Sequence, residues 1–147
     1  MSSTVTSATT RVDGPRFDLP TIDEGTAEWW QATKEGRLLV KRCGDCGAAH
    51  FYPRPFCPTC WSENVTWEEV SGRGTLYTYS VVHSNDLPPF GALVPYVAAI
   101  VDLDEGPRMM TRVIDCEFDA LRVGMPLTVA FEEQTDDVVL PVFRPAD

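Results

Sequence analysis

Apolar and polar positions alternate with period two over most of the second half of the chain. Five runs carry this pattern: TLYTYSVVHS, PYVAAIVDL, PRMMTRVIDC, PLTVAFEE and VVLPVF. Alternation of this kind predicts strands buried on one face. In the second run Val97, Ala99, Val101 and Leu103 fall on one side, and in the fourth Leu127, Val129 and Phe131 do. Glycine and proline punctuate the runs, and no helical period separates most of them, so the pattern predicts a small five-stranded antiparallel barrel of the OB-fold kind. One helical turn is expected in EFDALRVG, between the third and fourth runs. Closing the sheet removes the edges that would otherwise recruit a second chain.

The first half reads differently. A helix is expected from about Asp23 to Glu35, with Asp23 as N-cap, Glu24 and Glu28 in its first turns, Lys34 late and Gly36 as terminator. Trp29 and Trp30 are adjacent there, and successive side chains on a helix diverge by about 100°. Two readings follow: one indole faces a partner, or both wrap the flank of the following module. LLVKRC is then expected as a strand. MSSTVTSATTRVDG, at the start, is polar and carries no apolar h-region, so residues 1–15 are expected to form a flexible tail.

Between these halves lies CGDCGAAHFYPRPFCPTC, with two Cys-x-x-Cys pairs. No secretory signal or apolar run long enough to span a bilayer is evident, so the expected location is the reducing cytoplasm, where thiols stay free to hold metal. Cys43, Cys46, Cys57 and Cys60 are the expected ligands of a tetrahedral zinc. An all-thiolate site leaves no open position, so the zinc is expected to be structural. Four thiolates also suit iron, and CPTC resembles a rubredoxin knuckle, so an iron-loaded electron carrier is the alternative. A thioredoxin-like redox pair fits less well, because there are two pairs and no βαβ pattern. Cys116 is expected to be a small buried hydrophobe.

Composition and charge narrow the function. The 147 residues include 44% hydrophobic and 10% aromatic residues, enough for a modest core in need of a staple. A ribbon joined to an OB-fold suits single-stranded nucleic acid, but a net charge of -10 opposes phosphate binding. The charge is uneven: over 34–54 five bases (Lys34, Arg37, Lys41, Arg42, Arg54) face two acids, whereas 102–147 hold eleven acids and four bases. The basic pole is expected either to receive a nucleotide-like phosphate or acidic protein surface, or to be a solvated face beside the thiolates. No catalytic constellation is evident: His50 lies beside the ribbon, and His83 is expected as a packing residue in a strand. Glu132, Glu133, Asp136 and Asp137 are expected to be solvated around a turn.

Taken in order, WWQATKEGRLLVKRCGDCG, PRPFCPTC, VSGRGTLYTYSVV, PYVAAIVDL and LRVGMPLTVAF resemble one family from about Phe17 to Pro145. It is the acyl-CoA-associated OB-fold family with an N-terminal rubredoxin-like zinc ribbon, known as a domain-of-unknown-function family. The resemblance implies a helix and ribbon over 16–70 and an OB-fold over 71–147, with Ser71 to Thr75 (SGRGT) at the junction. It also implies a non-catalytic accessory subunit of a thiolase-superfamily enzyme, such as a thiolase-like aldolase or acyltransferase. The partner would then hold the catalytic groups and the acyl-CoA substrate, with steroid side-chain degradation as the candidate setting. Only the four cysteines carry over from the family pattern. Trp61, in CPTCW, stands where such ribbons often have glycine. The alternative is a stand-alone acyl-CoA-binding module.

Overall fold

A computed structural model describes Gly14 and residues 16–146. The tail expected over residues 1–15 lies, Gly14 apart, outside the described residues. Helix α1 spans Ala27–Lys34, followed by strands β1 (Leu38–Cys43), β2 (Ala49–His50) and β3 (Val65–Val70). These strands form an antiparallel sheet in the order β2-β1-β3. The remaining strands are β4 (Arg73–Val82), β5 (Tyr96–Leu103), β6 (Arg108–Val113), β7 (Pro126–Glu133) and β8 (Val139–Pro145). They close into a barrel in the order β4-β5-β6-β8-β7, the Greek-key arrangement of an OB-fold.

All five alternating runs form the barrel strands, and Phe118–Ala120 supplies the expected single turn. In β5, Val97, Ala99, Val101 and Leu103 are the buried face. The barrel departs from a purely antiparallel ladder at its seam, where β6 and β8 meet in parallel through Val113 and Phe143. A five-strand closure makes one such contact unavoidable when the third and fifth strands run the same way. A register shift between Leu76 and Thr78 puts Tyr77 outward. The Tyr77 ring then covers the Arg108 guanidinium at 3.6 Å.

The helix begins later than its capping pattern predicts. Asp23 organises a turn ahead of it: its carboxylate accepts the Thr26 N–H at 3.0 Å, and its carbonyl accepts Ala27 N–H at 2.8 Å. At the other end Gly36, at φ +76°, terminates α1 as expected. Gly36 N–H donates to the Thr33 carbonyl and Arg37 N–H to the Ala32 carbonyl, the paired bonds of a Schellman cap.

Ribbon and barrel share one apolar core. Trp29, Leu38, Val40, Phe51 and Val70 from the front pack in the same cluster as Leu76, Val101, Met109 and Phe143 from the barrel. Helix α1 lies against β8, which explains why Pro141, Val142 and Phe143 are buried consecutively although a strand normally alternates. Phe143 is fully buried. At the junction, Gly72 has φ +79°, and a Cβ there would stand 2.3 Å from Val129 Cγ1. Only glycine fits this bend.

Candidate metal centre and interdomain groove

The four paired cysteines converge, as their spacing predicts: the Sγ atoms of Cys43, Cys46, Cys57 and Cys60 all lie within 4.8 Å of one another. Cys43 and Cys60 sulfurs are 3.6 Å apart, as are those of Cys46 and Cys57. A tetrahedral ion with bonds of about 2.3 Å requires sulfur separations of about 3.8 Å, so this donor set fits one metal ion.

The two knuckles repeat one backbone. Cys43 N–H donates to the Ala48 carbonyl and Gly47 N–H to the Cys43 carbonyl; Cys57 N–H donates to Ser62 and Trp61 N–H to Cys57 in the same way. Gly47 (φ +79°) and Trp61 (φ +67°) occupy equivalent left-handed positions. Trp61 therefore keeps the turn geometry, and its exposed indole stacks on Phe56 at 5.3 Å. N–H groups aim at the sulfurs: those of Asp45 and Cys46 lie 3.4 Å from Cys43 Sγ, and that of Thr59 lies 3.4 Å from Cys57 Sγ.

Such donors stabilise thiolates. Backbone N–H groups of Cys60 and Thr59 outweigh burial and lower the Cys57 thiol to about 6. At Cys60 the Ser62 N–H lowers the value, but burial and the three neighbouring sulfurs push it up to about 12. Four sulfurs this close cannot all ionise without a cation among them, which is the electrostatic case for a metal.

Other residues singled out by sequence fall in three groups. Cys116 is buried, and its thiol is raised by burial first and then by Glu117. His83 lies just beyond β4 and is exposed, rather than packed within a strand. Its strand stops at Val82, ahead of a proline-rich connection. His50 is half-buried; its Nε2 accepts the Arg54 N–H at 3.3 Å, and its Nδ1 has no partner among the described residues. Burial, then Lys41 and Arg54, lower its proton affinity.

Two of the five bases of the basic pole, Arg37 and Arg42, are matched by carboxylates. Arg42 makes a forked pair with Glu68, Arg37 reaches Glu35 at 2.6 Å and Glu69 at 3.2 Å, and Lys41 sits 4.6 Å from the Trp67 ring centre. Glu68 and Glu69 lie on β3, beyond the sequence window that defined the pole, and antiparallel pairing brings them beside β1. This favours the reading of a solvated face over a phosphate site.

Glu132 corrects another expectation. It is fully buried, not solvated, and its Oε1 accepts from Arg112 and from Gln134 Nε2 at 3.1 Å. Glu133, Asp136 and Asp137 are exposed. Gln134 is tied in turn to Arg16 at 3.1 Å, so the segment before α1 helps to cover the carboxylate.

Arg112 also lines a groove of about 550 Å3 between the front module and the barrel. Its walls come from Trp30, Phe51 and Tyr52 on one side and Tyr96, Met110 and Val142 on the other. Trp29 and Trp30 both line the groove, but to different depths. Trp29 is buried and donates its indole N–H to the Leu39 carbonyl at 3.0 Å, whereas Trp30 is half-buried and meets Trp29 edge-on at 4.6 Å. The groove escaped the sequence reading because Met110 and Arg112 occupy the outward parity of β6; an exposed methionine beside an arginine there was the available signal.

Comparison with known proteins gives consistent matches. The ChsH2 rubredoxin-like zinc ribbon domain matches residues 30–66, and the ChsH2 C-terminal OB-fold domain matches residues 67–132. A DUF35 domain-containing scaffold protein of Methanocaldococcus jannaschii is 36% identical over 124 residues, covering 80% of this chain and 86% of its own length. A probable enoyl-CoA hydratase alpha subunit of Thermomonospora curvata is 38% identical over 127 residues and 86% of this chain, which spans only 39% of that protein. Among solved structures, a chain of the Ltp2-ChsH2(DUF35) aldolase superposes with a TM-score of 0.77 at 37% identity, over 88% of this chain and 100% of that one.

Proposed function

Because the chain belongs to the DUF35 family, with a rubredoxin-like zinc ribbon ahead of an OB-fold, we propose that it is a non-catalytic accessory subunit of a thiolase-superfamily enzyme. The partner envisaged is a thiolase-like aldolase that cleaves a CoA thioester, with steroid side-chain degradation as the candidate setting. The observation that carries this reading is the match along the whole ChsH2(DUF35) chain of an aldolase. Residues 16–70 and 71–147 are taken as its helix-plus-ribbon and OB-fold parts, working in the cytoplasm.

Cys43, Cys46, Cys57 and Cys60 hold a structural zinc in this reading. The ion supplies cross-linking rather than chemistry, since all four positions are thiolates. Its effect is to fix the ribbon, so that α1 and the aromatic walls beside it meet a partner without first having to order. A rigid surface of this kind would stabilise the closed site of the partner and restrict water at its CoA channel.

Co-expression with a thiolase-like protein encoded in the same genome tests the reading. Stable co-purification with thioester cleavage that requires both chains is expected. Thioester cleavage by either chain alone, or failure to associate with any such protein, would overturn it.

A further inference from the structure

The groove between the front module and the barrel has a composition that specifies a ligand. Of the side chains lining it among the described residues, Arg112 alone is charged. Its guanidinium bonds to Glu132, which is fully buried, so the charge is already matched while its other N–H donors remain available. Tyr52 accepts the Met110 N–H at 3.2 Å, and Tyr96 accepts from Asn85 at 3.0 Å. Each phenol is left with its own hydrogen to donate. The walls are otherwise mainly aromatic and aliphatic, and a volume of about 550 Å3 suits a small molecule.

The geometry points to a binding site for an uncharged, bulky apolar compound bearing a carbonyl oxygen, with Arg112 as the donor that selects it and Glu132 as the residue that positions and neutralises Arg112. A free carboxylate is disfavoured because it would lose its hydration next to a second, buried carboxylate. A plain hydrocarbon would leave the donors unmet. The inference goes beyond the accessory-subunit reading and does not require it, since every group involved belongs to this chain.

The test uses the full-length, metal-loaded chain with its tryptophan indoles observed by NMR. Three probes share one skeleton: trans-2-decalone, trans-decalin-2-carboxylate and the S-ethyl thioester of that acid. The ketone, the thioester or both should shift the Trp30 indole signal and bind roughly tenfold more tightly than the carboxylate. Glu132→Gln, which keeps the shape and the Gln134 contact, should tighten carboxylate binding. The double variant R112M/E132Q, which leaves no unpaired buried charge, should weaken ketone and thioester binding about tenfold, because the donor to their carbonyl oxygen is gone. A carboxylate that binds the unaltered chain as tightly as the ketone and thioester, or no Trp30 shift with any probe, would overturn the inference. So would ketone and thioester affinities left unchanged in the double variant. The first two outcomes need no variant to fold, and none bears on co-purification with a thiolase-like protein.

Discussion

Gly72 and Val129 show how closely the two modules approach. With φ at +79° and Val129 Cγ1 where a Cβ would sit, Gly72→Ala should cost about 2 kcal/mol, combining backbone strain with overpacking. Adding Val129→Ala should recover part of that loss, because it removes the clash and leaves the strain; urea midpoints of the single and double variants measure the coupling. His50 gives a pH-dependent counterpart. Its folded proton affinity is lowered by burial and by Lys41 and Arg54, so the unfolded chain takes up the proton first as pH falls below its ordinary value near 6.5. Stability should therefore decline on acidification through that value, and His50→Gln should flatten this component when denaturation is followed between pH 7.5 and 5.5. The glycine-rich junction was legible in SGRGT, because a bend between modules favours residues without a Cβ. Burial of Glu132 was not: a carboxylate beside a polar turn reads as solvated until Arg16, Gln134 and Arg112, from distant parts of the chain, are brought around it.

Among the elements, the barrel strands were the most legible, because a period of two writes the inner face directly into the sequence. The two strands not anticipated were β2 and β3. β2 is only two residues long, and β3 (VTWEEV) places two acids in succession, which hides its alternation; both are held by register with β1. The knuckles were legible because each ligand pair is local in sequence, and the conserved geometry of the two turns accommodates tryptophan as well as glycine. At this scale the prediction concerns metal retention. Cys57→Ser should lose the metal and the protection of amides in β1 to β3, as read by elemental analysis and hydrogen exchange. Cys116→Ser should retain both, since Cys116 stands apart from the four-sulfur cluster.

At the scale of the molecule, the fusion of ribbon and barrel into one core has an energetic consequence. Structural zinc in isolated peptides contributes roughly 10–16 kcal/mol to folding. Here Trp29 and Phe51 join the metal-bearing module to barrel residues such as Met109, so its loss should propagate. Chelation is expected to abolish the groove, read by the Trp30 indole signal, and to lower the melting temperature of the barrel as well; a barrel unaffected by chelation would show the modules to be energetically independent. The shared core was not legible in the sequence. Periodicity reports which side of an element is apolar, but not that the outward side of β6 and β8 meets α1 and the ribbon. The ion pairing of the basic pole was hidden similarly, and so the choice between a phosphate site and a solvated face stayed open, since a window along the chain cannot include the acids supplied by a strand paired across it.

The packing of α1 on β8 imposes an order on biosynthesis. The ribosome makes the helix at Ala27–Lys34 long before the strand at Val139–Pro145. Throughout that interval the indole pair can settle only on β1 and Phe51, and the docking of the helix on β8 waits until that strand has cleared the exit tunnel.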